Sequence, residues 1–172
     1  MAGETQSIIL GYGVFNINGV DVALSKGGGK LEIAPTYVNI EADGDYGVVK
    51  GRILKFGSTA KLTINALTLI VDNFTSYMPG LTKTAVTTPA AGTEVTGSGV
   101  TVIPDTDFQK VTWTGKTKDG KSVIIELDNA INLEKFDWDL KDKEQVVSAL
   151  TYTATYDEAA RTTEPWSIIF GD

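Results

Sequence analysis

Apolar and polar positions alternate along much of the chain, and this period of two predicts β-strands. Between Thr59 and Ala66, four apolar side chains alternate with four polar ones, as in a strand with one buried face. The same alternation recurs at residues 122–127, 135–140 and 150–156. The sequence therefore predicts a mainly β, antiparallel protein, organised as a β-sandwich or a β-barrel.

Turn residues predict how several of these strands pair. Asn18-Gly19 separates residues 14–17 from 20–24, and Asp119-Gly120 separates residues 111–117 from 123–127. Both dipeptides tolerate positive φ and favour two-residue hairpin turns.

A third pairing is predicted from two longer extended segments. Residues 46–56 face residues 31–40 across the glycine-rich piece 41–47.

One segment has helical rather than strand periodicity. Apolar residues recur at helical spacing between positions 67 and 78, and Pro79-Gly80 follows. We therefore predict one α-helix at residues 67–78, flanking the β-structure. Its buried side would consist of Leu67, Ile70, Val71, Phe74 and Met78.

Residues 81–106 are rich in small and polar side chains, with few large apolar ones. The segment is expected to be a flexible loop, or a surface that orders only against a neighbouring copy. We expect residues 1–172 to form a single domain, because the length suits one core.

Composition excludes several kinds of chemistry. The chain has no cysteine and no histidine, so disulfides, Cys/His zinc sites and nucleophile–histidine triads are excluded. No apolar run is long enough to span a membrane, and the N-terminus lacks a signal-peptide pattern. Folding in the cytoplasm where the chain is made is therefore expected. The net charge of −7 argues against a surface that grips nucleic acid.

Acidic and glycine-rich motifs have modest chemical potential. Counting from Asp43, the twelfth position is Leu54, so the acidic loop around it fails the EF-hand pattern. A looser oxygen site or a simple turn stays open for this loop. Residues 26–30, Lys-Gly-Gly-Gly-Lys, precede a strand and not a helix, which favours a bulge over a phosphate loop.

The remaining candidates have structural interpretations as well. The aspartate pairs at 105/107 and 137/139 fit a polar stripe better than a catalytic pair. Trp113 and Trp138 are expected in the core, although three tryptophans, with Trp166, could also form a sugar-stacking platform.

Several segments together resemble the major tail tube proteins of bacteriophages. They are GYGVFNINGVDVALSKGGGKLEI at 11–33, NIEADGDYGVVKGR at 39–52, AKLTINALTLIVDNF and MPGL between 60 and 81, and VTWTGKTKDGKSVIIELDNAINLEKFDWDLKDKEQVVSALTYTATYD with a final PWSI in the C-terminal half. Their order is more specific than any single motif. The weakest stretch is 81–106.

The resemblance implies a tail-tube fold, in which six subunits form a ring around a channel and rings stack into a tube. Related folds serve contractile tails, phage-like bacteriocins and type VI secretion. In this family the long loop at 39–52 contacts the next ring. The residues expected to make contacts between subunits are Glu41, Asp43, Asp45, Tyr46, Lys50 and Arg52.

The resemblance further implies a structural virion protein, made in the bacterial host cytoplasm and assembled in the tail. Expected partners are further copies of the chain, a tape-measure protein, a tail terminator and baseplate or distal tail proteins, while DNA passes through without specific binding. No enzymatic activity, cofactor, metal or membrane span is expected. We also expect acidic strand faces to line the channel. The alternative is a β-sandwich module that binds a surface or a carbohydrate.

Overall fold

The computed structural model describes residues 8–171, which form ten strands and two short 3₁₀-helices. The strands are β1 (Ile9–Ile17), β2 (Val20–Asp21), β3 (Ser25–Asn39), β4 (Ile53–Ala66), β5 (Leu81–Val86), β6 (Gly92–Gly97), β7 (Gln109–Thr117), β8 (Ser122–Asn132), β9 (Ser148–Ala154) and β10 (Trp166–Phe170). The 3₁₀-helices are Val71–Ser76 and Asp105–Asp107. The protein is therefore mainly β, as predicted. None of the described helices is long and apolar enough to cross a membrane.

Eight strands form one antiparallel sheet in the order β2-β1-β7-β8-β9-β4-β3, with β10 also paired to β8. One edge of β8 pairs with β7 from Ser122 to Ala130, while its other edge pairs first with β10, at residues 123–127, and then with β9, at residues 130–132. Asn129, between the last two stretches, has φ of 47°. Strand β8 therefore changes partners along its length and joins two halves of the sheet.

The core lies between these halves. Phe15, Val111 and Trp113 from β1 and β7 belong to the same buried cluster as Leu62 of β4 and Tyr152 of β9. Strands β1 and β3 are not hydrogen-bonded to each other, so the sheet curls without closing into a barrel.

The strand alternation is confirmed where it is strongest. Ala60, Leu62, Ile64 and Ala66 are all buried, and the alternate positions are more exposed. Strand β9 follows the same pattern. Each strand contributes one face to the core, because successive side chains point to opposite sides.

The predicted hairpins form, with different turns. Asn18 and Gly19 have φ of 50° and 83°, as in a two-residue turn with positive φ at both positions. At the second hairpin only Gly120 has positive φ, and its N–H donates to the carbonyl of Thr117 at 3.0 Å. That loop is a tight turn followed by a left-handed glycine.

The predicted bulge at residues 26–30 is also present. The register of β3 against β4 shifts there, and Gly27 and Gly28 have φ of 84° and 70°. Strand β4 starts only at Ile53, so the extended segment predicted from residue 46 is wrong over its first seven residues.

The predicted α-helix at 67–78 is not found. Only Val71–Ser76 is helical, as a 3₁₀-helix without a side-chain cap. This short window combines β-branched residues with Asp72 and Asn73, which are weak helix formers, and it follows a strand directly. Side chains hold the segment instead: Tyr152 Oη donates to the Ser76 carbonyl at 2.8 Å.

The predicted burial is also revised. Leu67, Ile70, Phe74 and Met78 are half-buried, and Tyr77 is the buried residue among the described side chains of the segment. The side chain of Val71 lies outside the described ones.

Residues 135–140 do not form the predicted strand, and Trp138 is 47% exposed instead of buried. Local ion pairs of Lys135 with Asp137 and of Lys141 with Asp139 favour an irregular surface segment. Its aromatic side chains pack edge to face on Phe74. Trp113, in contrast, is buried as predicted.

Residues 81–106 contain more structure than a loop. Strands β5 and β6 form a separate two-stranded hairpin, from Leu81 opposite Gly97 to Val86 opposite Gly92. The Gly80 N–H donates to Asp107 Oδ2 at 2.9 Å, which ties the base of the hairpin to the second 3₁₀-helix. Its dependence on a neighbouring copy stays a prediction.

Candidate functional site

The feature that stands apart from the core is the end of the β3–β4 hairpin, residues 37–56, here called the arm. It starts where the register of β3 against β4 shifts, between Pro35 and Tyr37, and it continues to the pair Asn39–Ile53. A loop, residues 40–52, then closes it. Of these 20 residues, Asn39, Val49 and Arg52 are partly buried, and the others are exposed.

The loop is closed by its own hydrogen bonds. Asp45 Oδ2 accepts from Arg52 Nη1 at 2.7 Å and from the Ala42 N–H at 3.0 Å. The Ile40 N–H donates to the Arg52 carbonyl at 2.9 Å. Gly44, with φ of 92°, makes the tight bend that returns Asp45 to Ala42.

The six residues predicted for subunit contacts therefore divide into two groups. Asp45 and Arg52 bind each other and shape the loop. The others project outward, and the described residues give them no ion-pair partner: Glu41, Asp43, Tyr46 and Lys50. The ring of Tyr46 is fully exposed.

Sequence reasoning missed the apolar character of the arm. Large apolar side chains are exposed on both of its strands and in its loop, namely Tyr37, Val38, Ile40, Tyr46, Val48, Ile53, Leu54 and Phe56. The run Ile53-Leu54-Lys55-Phe56 carries apolar residues at odd and even positions, so neither side of the strand is purely polar. That pattern is the signal that would have identified it.

A polar cluster holds the base of the arm. Glu164 accepts hydrogen bonds from Lys55 Nζ at 2.7 Å, Ser58 Oγ at 2.5 Å and Tyr156 Oη at 2.8 Å. The Ser58 N–H also donates to Tyr156 Oη at 2.8 Å. The sequence gives no local signal for this cluster, because Lys55 and Ser58 are about 100 positions away from Tyr156 and Glu164.

These donors lower the pKa of Glu164 to about 2, with the hydrogen bond from Lys55 as the largest cause, followed by those from Ser58 and Tyr156. The same contact raises the pKa of Lys55. Both groups are therefore charged at neutral pH.

The outward side of β3, β4 and β9 forms a second feature, here called the polar face. Thr63 and Thr151 share a hydrogen bond of 3.0 Å across it. Its lysines are paired: Lys30 Nζ lies 2.7 Å from Glu32, and Lys61 Nζ lies 2.8 Å from Glu134. No large apolar side chain is exposed among its positions, which are Lys30, Glu32, Lys61, Thr63, Asn65, Thr151 and Thr153.

The outward side of the other half, β1, β7, β8 and β10, differs in character. Val14, Thr114, Ile124 and Ile169 lie opposite one another across four strands. Val14 and Ile169 are exposed by 49% and 45%. Three of the four residues in this row are apolar, whereas the polar face carries threonine and lysine.

The expectation of acidic strand faces is wrong. The ten strands contain seven lysines and five carboxylates, although the whole chain has 15 basic and 22 acidic residues. The acidic surplus therefore lies outside the strands.

The acidic motifs do not converge on a metal site among the described residues. Within residues 8–171, no three acidic side chains converge in a way that would hold a metal ion. Asp107 accepts from a backbone N–H, whereas Asp137 and Asp139 pair with neighbouring lysines. A platform of three tryptophans is also excluded, because Trp113 is buried.

Neither a scan against models of protein families nor a search of curated proteins finds a match for this chain.

Proposed function

We propose that this protein is the subunit of a phage-type tail tube, in which six copies form a ring and rings stack into a hollow tube. The observation that carries the proposal is the arm, which presents eight large exposed apolar side chains on one hairpin. Apolar surface concentrated in this way marks a surface that another protein covers. The resemblance in sequence to tail tube proteins supplies the identity of that assembly.

The shape of the arm favours contact with a different part of another copy. An outward-reaching hairpin can pack on a different surface of the next copy, and heterologous contacts of this kind generate rings or open filaments. Burying each large apolar side chain stabilises the assembly by about 1.5–3 kcal/mol before the cost of association is subtracted. Eight such side chains are enough to support a specific contact.

Open sheet edges support the same proposal. Strand β3 is the last strand of the hydrogen-bonded order and β2 is the first. Proteins that stay monomeric usually shorten, cover or charge such edges. Here β3 runs for 15 residues, and a neighbouring subunit would continue its sheet.

We assign the polar face to the channel. None of its positions carries an exposed large apolar side chain, so this face is suited to contact with water in the finished tube. Its lysines are neutralised by Glu32 and Glu134, which limits attraction for DNA phosphates. The apolar row through Val14 and Ile169 fits the outer side or a subunit contact.

In this proposal the chain is a structural protein of the virion tail and has no enzymatic role. It would meet a tape-measure protein inside the tube and terminator, baseplate or distal tail proteins at the ends. DNA would pass through the channel without specific contacts.

Deleting residues 43–48 tests the proposal. The deletion removes the exposed tip with Tyr46 and Val48 and leaves the paired strands β3 and β4 untouched. The variant should fold, as judged by circular dichroism, and should fail to form tubes in electron micrographs. Normal tubes from the deletion would exclude the arm as the stacking contact. Replacing the exposed turn Lys118–Lys121 by an equally short glycine-serine turn provides a control that should assemble.

The alternative of a carbohydrate-binding module has a weaker basis. Trp138 is half exposed, but its Nε1 donates to Ser148 Oγ at 2.7 Å and its ring packs edge to face on two phenylalanines. Glycan-array binding that is lost in Trp138→Ala would favour the module.

A further inference from the structure

The arm leaves the sheet at a bulge whose geometry is unusual. The register of β3 against β4 shifts between Pro35, which pairs with Ser58, and Tyr37, which pairs with Lys55, so Phe56 and Gly57 lie opposite the irregularity. Gly57 has φ of 75°, in the left-handed region. A bulge bends the strand that carries it, so the conformation at Gly57 sets the direction of everything beyond it.

A single carboxylate clamps this strand on both sides of the bulge. Glu164 Oε1 accepts from Lys55 Nζ at 2.7 Å, on the arm side of Gly57. Glu164 Oε2 accepts from Ser58 Oγ at 2.5 Å, on the core side. Because the two donors flank Gly57, rotation of the strand at the bulge would break one of these bonds.

The carboxylate is itself fixed to the body of the protein. The next residue, Pro165, is buried, and its carbonyl accepts from the Asp128 N–H at 2.8 Å. Trp166 then pairs with Leu127 in the core strand β8, and its Nε1 lies 3.2 Å from Glu164 Oε2. Glu164 therefore connects the arm to the most buried part of the sheet.

Tyr156 also binds both Glu164 and the strand at the bulge. Its Oη lies 2.8 Å from Glu164 Oε2 and accepts from the Ser58 N–H, also at 2.8 Å. A methyl group at position 57 would lie 2.6 Å from this oxygen, so the phenol occupies the space that a side chain at the bulge would need.

We propose that Glu164 is a positioning residue that fixes the angle of the arm relative to the sheet. The arm is thus held ready in one direction before it meets another molecule. The role of that direction in tube growth rests on the proposed function, whereas the effect of Glu164 on the arm does not.

The absence of cysteine from the chain allows a direct measurement. Spin labels on Tyr46→Cys, at the tip of the arm, and Lys118→Cys, in the exposed β7–β8 turn, report their separation by electron double resonance. The doubly labelled protein with Glu164 intact should give a narrow distribution of distances. The control Glu158→Gln should give the same distribution, because it alters an exposed carboxylate that is paired only with Arg161 among the described residues. Glu164→Gln should give a broader or shifted distribution of distances.

Thermal melting separates positioning from simple stabilisation, because a residue that only stabilises the fold would lower the melting temperature without changing the distance. Tyr156→Phe is the second variant, in case Glu164→Gln does not fold. It removes one hydrogen-bond donor to Glu164 and should broaden the distance distribution less than Glu164→Gln does. Unchanged distributions in the folded variants would overturn the proposal. If Glu164→Gln broadens the distance distribution but the parent protein never forms tubes, the positioning role would stand and the proposed tube function would be refuted.

Discussion

The ring of Phe15 in β1 lies against Gly29 in β3, although these strands stand near opposite ends of the hydrogen-bonded order. A methyl group at position 29 would lie 2.6 Å from Phe15 Cζ. The two ends of the curled sheet therefore meet through a side chain on one strand and the lack of one on the other. This contact packs the two ends of the sheet together, although no backbone hydrogen bonds join them into a barrel.

Substitution at this seam should destabilise the fold. A methyl group at position 29 would also collide with the Thr63 carbonyl oxygen in β4. Gly29→Ala therefore forces both Phe15 and this backbone to move, and overpacking of this kind costs about 1–3 kcal/mol. Gly11→Ala is the matched control, because a methyl group there meets no atom within 4 Å. Denaturant unfolding measures both. Equal stabilities of the two variants would show that the packing around Gly29 is loose.

The aromatic cluster beside the first 3₁₀-helix should contribute moderately to stability. Phe74 packs edge to face with Tyr77, Phe136 and Trp138 at centroid distances of 5.4–6.3 Å, but it is only half-buried. Phe74→Ala should therefore cost about 2 kcal/mol, below the range of about 3–5 kcal/mol for full burial.

A double-mutant cycle with Trp138→Ala should give a coupling of about 0.5–1.5 kcal/mol. A coupling near zero would mean that the two rings do not interact in solution.

Stability should depend on Glu164 in a defined pH range. Its folded pKa is lowered to about 2 by the hydrogen bonds from Lys55, Ser58 and Tyr156, so its contribution is present above the unfolded pKa of about 4.3. The contribution is lost as the pH falls from there toward 2. Glu164→Gln should thus be less stable than the parent at neutral pH, and the difference should shrink in acid. A difference that is constant between pH 7 and pH 2 would contradict this assignment.

The polar face should bind DNA once its lysines are released. Replacing both Glu32 and Glu134 by glutamine removes the partners of Lys30 and Lys61. The double variant should retain duplex DNA at low salt and lose it as salt rises, because phosphate contacts release counterions.

The matched control makes the same change in charge at exposed sites away from this face, with Asp119→Asn and Glu158→Gln. Gel-shift titrations over a range of salt compare the two. Equal retention by both variants would mean that net charge alone matters.

The fold was predictable where a strand has one buried face, because the sequence there alternates between apolar and polar residues. The alternation at 59–66 and the turn at Asn18-Gly19 placed strands and a hairpin correctly, because they depend on local geometry and one apolar side. The prediction of an α-helix at 67–78 was wrong, because the apolar residues at helical spacing pack around an irregular turn instead. That turn is held by Tyr152 and Asn132, which are distant in sequence.

The candidate site was predictable only in part. The loop at 40–52 was identified from its glycines and charges, but the pairing of Asp45 with Arg52 inside it was not. The clamp on Gly57 depends on Glu164, 107 positions away, and no periodicity links them. Long-range polar contacts of this kind leave no local pattern in a single sequence.

Electron microscopy of the purified protein, concentrated to its solubility limit, tests the central claim most directly. The account predicts hollow rods of stacked rings with six copies each, in which class averages place the polar face of β3, β4 and β9 toward the channel. Single subunits at every concentration, with no rings and no rods, would contradict it.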